Sequence, residues 1–289
     1  MAKTHQKEKK KSYNNAARII IIIIAAAVIS FCLYNIISYY VNADAEESEY
    51  YSLKNSYSDS SSGTFSDSDE EAISSSFKIG YFNDEKYLYD PTFTDYKDIY
   101  ANVDVKELRK QYPDISAWIY IPGTKISYPV LSSKKDHYLY RNYKGERVKS
   151  GSIFYYNKLS FDPQNDNICI FGHNMKSGMM FGSLKSFWLE DDMWPDDKDT
   201  YIYLILEDRI QKYQIFAIYI DNVKKNKIPA NFSSALEKIE YFESVMRKSY
   251  KTKEMSFDDD DVFITLSTCT HINNAEDDDR LLIAAKLID

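Results

Sequence analysis

Nineteen consecutive residues near the start of the chain, "IIIIIIAAAVISFCLYNII" from Ile19 to Ile37, carry no charge. At 1.5 Å per residue a helix of this length covers about the hydrocarbon thickness of a bilayer. Tyr34, Tyr39 and Tyr40 cluster at its far end, where amphipathic rings favour the membrane interface. Ahead of it Lys3, Lys7, Lys9, Lys10, Lys11 and Arg18 stand against Glu8 alone, and an excess of basic residues before a span marks the cytoplasmic side. The expected organisation is a basic cytoplasmic segment over 1–18 and a single-pass transmembrane signal-anchor over 19–41, with the rest of the chain extracellular. A cleaved secretory signal is the competing reading, because Ala43 and Ala45 in "NADAEE" form an A-x-A-like site. The apolar run is longer than a usual signal h-region, which favours an uncleaved anchor, and both readings export the remainder of the chain.

The exported part is acidic. The whole chain of 289 residues has a formal charge of −8, and the first eighteen residues contribute about +5, so the exported part carries about −13. That excludes a general nucleic-acid binder, which needs a basic face to meet phosphates. Residues 42–76, "NADAEESEYYSLKNSYSDSSSGTFSDSDEEAISSS", are rich in Ser, Asp and Glu without an amphipathic period, a composition that cannot offset its ordering entropy by burial. They are expected to form a disordered acidic stalk, leaving 77–289 as the extracellular globular domain.

Within that domain "VDVKELRKQYP" puts Val105, Leu108 and Tyr112 on one helical face and stops at Pro113. Strand-like runs come next: "SAWIYIPGTKISYPVL" around a turn, then "GSIFYY", "NICIFGH", "TYIYLILE" and "IQKYQIFAIYI". Pro122 and Pro129 predict strand ends or edges. "MMFGSLKSFWL" reads as a weak helix. In "NFSSALEKIEYFESVMRKSY", Phe232, Leu236, Ile239, Phe242 and Met246 predict a stronger helix, with Ser234 and Glu237 as a capping box. One closed or nearly closed β-barrel or sandwich carrying helices is the architecture these elements predict.

The chemistry concentrates near the C-terminus, in "DVFITLSTCTHINNAEDDDRLLIAAKLID". Cys269 sits where the first of two apolar runs gives out, and a thiol at a strand end beside hydroxyls can be exposed and ionised. A cysteine nucleophile needs a proton acceptor and an oxyanion stabiliser. His173 in "ICIFGHNM" lies at another strand end after Gly172, while His271 lies two residues beyond Cys269; residue logic leaves both as partners. Arg280 opens the last strand with a permanently charged fork of donors. Cys269 must stay reduced, and Cys169 is the one other exported cysteine.

"TLSTC" followed by a loop and an arginine-led strand, with "GHNM" upstream, resembles the sortases, cysteine transpeptidases of Gram-positive bacteria. "WIYIPGTKISYPVL" and "GSIFYY" resemble the family's early strands, and the long helix before "ITLSTC" resembles class B members. The resemblance covers Val103 to Ile288. It implies a mainly β fold: an eight-stranded β-barrel with an N-terminal helix and a long helix before the penultimate strand. It implies Cys269 as nucleophile, His173 as general acid/base and Arg280 as substrate and oxyanion clamp. Ser267, Thr268 and Asn174 are implied as substrate-groove residues, Asn174 also helping to orient the histidine, and His271 is demoted to a packing role. The partners implied are sorting-signal-bearing surface proteins or pilins and an amine of a peptidoglycan precursor, with the membrane engaged through 19–41 and no redox cofactor. Tyr156 and Asn157 depart from the acidic residue expected there in many class B relatives.

Rival readings have specific weaknesses. A papain-like peptidase has its cysteine early, opening a helix. A zinc site from Cys169, His173, Cys269 and His271 would need a bend, since Cys169 and His173 on one strand lie about 13 Å apart. The run Asp258–Asp261 lacks the alternating ligands and glycine of a calcium loop. The acidic loop "THINNAEDDD", 270–279, reads as a solvated turn or as an attractor for a cationic acceptor. A non-enzymatic receptor explains anchor and stalk but not the three motifs together.

Overall fold

A computed structural model describes residues 2–57, 103–161, 165–189, 200–270, 272 and 278–288. It divides into two units, residues 1–49 and 50–289. The first unit is the body of α1 (Ala2–Ser56), whose segment from Arg18 is long and apolar enough to cross a membrane and keeps its isoleucines exposed.

The helix does not stop at the expected end of the span. Residues 42–56, expected to be irregular stalk, continue α1. Ala43, Ala45, Glu46, Glu47 and Leu53 are good helix formers, and extending an existing helix avoids the cost of a new nucleus. Tyr50 and Leu53, three residues apart and so on one face, are buried in the second unit. The Tyr50 ring meets Tyr128 edge-on at 5.2 Å and Tyr143 at 5.5 Å, and the Tyr57 carbonyl accepts from Asp104 N at 2.6 Å. The rest of the expected stalk, and the expected domain start at 77, lie outside the described residues.

The second unit is built on β-strands. After α2 (Val105–Gln111), capped by Asp104, come β1 (Ile115–Tyr120), β2 (Ser127–Ser133), β3 (Ile153–Tyr156) and β4 (Asn167–Phe171). A 3-10 turn (Gly182–Lys185) leads into the short α3 (Ser186–Leu189), where the sequence predicts a weak helix. Then come β5 (Tyr201–Ile205), β6 (Ile210–Asn222), α4 (Ala235–Lys248), β7 (Lys251–Thr252), β8 (Phe263–Cys269) and β9 (Asp279–Leu287). Eight strands close a barrel in the order β5-β1-β2-β3-β4-β8-β9-β6 and back to β5, while the two-residue β7 adds to β6. Pro129 sits inside β2, but pairing with β3 starts only at Val130, so its missing N–H falls where β2 has one neighbour.

Two of the barrel pairings are parallel, β2 with β3 and β4 with β8. A parallel pair needs a long crossover, for β4 and β8 supplied by β5, β6, α4 and β7, and it brings the C-terminal ends of both strands out at the same place. β8 is buried from Phe263 to Thr268, one face inside the barrel and the other under α4, where Phe242 stacks on Phe263 at 3.6 Å. The expected cap forms with its return bond one residue early: Ser234 Oγ accepts from Glu237 N, and Glu237 accepts from Ser233 N, the residue before the N-cap, at 2.8 Å. The buried face of α4 is rotated from the expected one. Leu236 is 65% exposed, whereas Lys238, Phe242 and Val245 are buried. A lysine can take that position because its ammonium is saturated there, by the Asp166 carboxylate at 3.0 Å and the carbonyls of Asp259 and Asp261.

Candidate active site

Cys269 ends β8 and Arg280 opens the part of β9 that pairs with β8, and the antiparallel register makes them direct cross-strand partners. Such partners have Cα atoms about 4.5–5.5 Å apart with side chains on one face. Along β8 that face alternates through Phe263, Thr265 and Ser267; Phe263 packs on α4, so Cys269 projects on the outside of the barrel. The thiol is free and partly exposed.

On the other side of β8 the parallel register pairs Phe171 with Ser267, which carries His173 to the level of Cys269 two residues later. Three bonds keep the chain beyond β4 beside β8. Gly172 N donates to the Ser267 carbonyl at 3.2 Å, Thr268 Oγ1 donates to the Gly172 carbonyl at 2.8 Å, and Asn174 Nδ2 donates to the Cys269 carbonyl at 2.8 Å. Gly172 is needed for space: a Cβ there would lie 2.7 Å from the Phe181 ring. The His173 carbonyl accepts from Phe181 N, its Nε2 lies 2.7 Å from the Leu139 carbonyl oxygen, and its ring stands 5.3 Å from that of Tyr140.

Cys269, His173 and Arg280 thus converge at one end of the barrel, a thiol flanked by an imidazole strand and a guanidinium strand. A nucleophile, a proton carrier and a fixed positive charge on one surface suit acyl transfer. A sortase domain family model matches residues 119–288. The chain belongs to the sortase family. Its likeness is to class B: it is 32% identical to sortase B of Listeria monocytogenes over 188 residues, 64% of this chain and 74% of that one. The crystal structure of Clostridium perfringens sortase B superposes with a TM-score of 0.57 at 30% identity, covering 64% of this chain and 99% of the other. A Staphylococcus aureus sortase B–substrate complex matches with a TM-score of 0.57 at 27% identity, covering 64% of this chain and 84% of the other. Sortases are cysteine transpeptidases, and this is one.

The remaining expected positions sort by burial. Ser267 and Thr268 are 4% and 2% exposed. The Ser267 hydroxyl lies by the Cys169 thiol and Thr268 ties β8 to Gly172, so the geometry supports a positioning role for both. Asn174 reaches the cysteine's backbone, so it orients Cys269 more directly than His173. Cys169 lies mid-strand in this sortase, and burial pushes its thiol well above the ordinary range despite the Ser267 bond. His271, the other partner left open by residue logic, and most of the acidic loop lie outside the described residues.

The cation readings meet a different arrangement. Asp261 Oδ1 pairs with Lys286 at 2.7 Å and its Oδ2 accepts from Asp258 N, so this carboxylate faces the chain's own groups. Among the described residues no three His, Cys, Asp or Glu side chains converge on a metal position. Sequence reasoning missed the segment His137–Tyr140, which forms a 3-10 turn against the histidine. Tyr156, where a class B acid was expected, donates to Asp136 at 3.0 Å, and burial with that bond raises its phenol to about 12.

Proposed function

We propose that this sortase cleaves a C-terminal sorting signal after threonine and transfers the new carboxyl group to an amine. The Cys269 sulfur attacks the threonine carbonyl, and the negative charge that develops on its oxygen is met by Arg280. The C–N bond breaks as His173 gives its proton to the departing amine, leaving a thioester on Cys269. An acceptor amine then attacks the thioester, His173 takes its proton, and the thiolate leaves. Splitting one amide exchange into two acyl transfers is what a covalent nucleophile provides.

The observation that carries this reading is the direct cross-strand pairing of Cys269 with Arg280 beside the strand that delivers His173. The acceptor is the amine of a peptidoglycan precursor or a pilin lysine, and the donors are surface proteins or pilins with a sorting signal. The apolar helix supports anchoring at the cell membrane through 19–41, with the N-terminus cytoplasmic and the catalytic domain outside, where a donor's own membrane tail and a lipid-linked acceptor would meet it.

Mass spectrometry of the full chain in detergent, incubated with a panel of sorting-signal peptides, tests this. A peptide adduct on Cys269 that disappears in Cys269→Ala, and is released by an added amine as a new amide, is the expected result. Release only as the free acid would make the protein a peptidase. No adduct from any peptide, with Cys269 still labelled by a general thiol reagent, overturns the sorting-signal reading.

A further inference from the structure

An imidazole can use either ring nitrogen for proton transfer, and what holds the other one decides which. In this sortase the Nε2 of His173 lies 2.7 Å from the backbone carbonyl oxygen of Leu139. A carbonyl oxygen only accepts, so this contact is a hydrogen bond only while Nε2 carries hydrogen.

The turn that presents the carbonyl is built to a narrow tolerance. Leu139 lies in the 3-10 turn His137–Tyr140. Tyr138 anchors it, its hydroxyl donating to Asp114 at 2.5 Å and its carbonyl accepting from Ser152 N at 3.0 Å. Behind the turn runs Gly151 at φ +59, and a Cβ on it would fall 2.3 Å from the Leu139 oxygen and 2.9 Å from the Tyr138 oxygen. Both obstacles are backbone, so no side chain can swing aside. A residue with a Cβ must push away the carbonyl that His173 uses.

We propose that the Leu139 carbonyl, admitted to its place by Gly151, is the positioning group that fixes the tautomer of His173. Nε2 keeps its hydrogen whether the ring is neutral or charged, and Nδ1 alone takes the proton from, and returns it to, the reacting groups. This rests on His173 as the general acid/base. Leu139 and Gly151 act through the histidine and need not touch substrate.

The test uses the full chain in detergent with 15N-labelled imidazoles. The sequence has four histidines, and His173→Gln assigns the signal. The neutral His173 ring is expected as the Nε2–H tautomer; an Nδ1–H ring overturns the proposal. In Gly151→Ala, the expected result is a mixture of tautomers and acylation of Cys269 slowed about tenfold or more, with the fold confirmed by its melting curve. A second variant adds no volume: Tyr140 replaced by its α-hydroxy acid turns the Leu139–Tyr140 amide into an ester, whose carbonyl is a weaker acceptor. The same mixing of tautomers is expected there, and an unchanged tautomer and rate in the ester variant overturn the proposal even if Gly151→Ala does not fold. The spectrum needs no turnover, so a chain that acylates no peptide loses the sorting-signal reading while the tautomer assignment is still decided.

Discussion

The parallel pair β4–β8 has two ends that are held by opposite means. At the N-terminal end one buried lysine does the fastening. Lys238 reaches Asp166, just before β4, and the carbonyls of Asp259 and Asp261, just before β8, while Thr265 donates to Asn167 across the ladder. At the C-terminal end the same two strands are tied by neutral bonds to Gly172 and Cys269, and the charged side chain there, Arg280, stands beside the thiol. The first end commits its charges to internal partners at the cost of desolvation; the second keeps polar groups on the surface, where substrate can meet them. Stability and reactivity are therefore assigned to opposite ends of one ladder.

The largest expected effect breaks the reactive end alone. Cys269→Ala should lower acylation by about 10⁴-fold or more while leaving the melting curve unchanged, checked by peptide turnover and calorimetry on the same sample. Breaking the fastened end should do the reverse. Lys238→Met leaves the partly exposed Asp166 carboxylate and the carbonyls of Asp259 and Asp261 without their donor and should cost about 1–3 kcal/mol of folding stability, read from denaturant unfolding. Activity per folded molecule should hold; a loss of turnover larger than the loss of folded protein would show that the two ends are coupled.

Thr268→Val tests the joint between fastening and chemistry. It removes the hydroxyl that ties β8 to the Gly172 carbonyl and should cost about 1–3 kcal/mol, with slower acylation because His173 is the next residue after Gly172. The middle of the ladder responds to pH. The fold holds the Cys169 thiol protonated above its ordinary range, while the unfolded chain releases that proton near pH 8.5. This group therefore has no effect on stability below about pH 8.5 and lowers it progressively above, because the folded state binds more protons there. Unfolding curves from about pH 7 to 9.5 should show this decline, and Cys169→Ala should flatten it without altering acylation. The smallest effect is at the cap of the helix that carries Lys238, where Ser234→Ala should cost about 1 kcal/mol.

The legible parts of this sortase were those written in local order. Alternation and β-branched runs placed eight strands, and the capping box placed the start of α4. Composition misread residues 42–56, because a polar stretch that continues an existing helix and buries three residues, Ala43, Tyr50 and Leu53, gives almost no periodic signal. Periodicity also put Leu236 on the buried face of α4 and left Lys238 out, since it counts apolar side chains and a saturated ammonium is not one. The turn before Arg141 gave no signal because the group it offers to His173 is a backbone carbonyl, which every residue has.

By itself the sequence determined the apolar helix, the strand pattern and the motifs around His173, Cys269 and Arg280, all features carried by neighbours in the chain. Only the tertiary structure decided that Asn174 meets Cys269 across 95 residues, that Arg280 faces the thiol in register, and that Lys238 closes the other end. Strand partners are chosen by barrel closure as a whole, a cooperative packing outcome with no local code, so the contacts that turn three motifs into one site appear only when the barrel shuts.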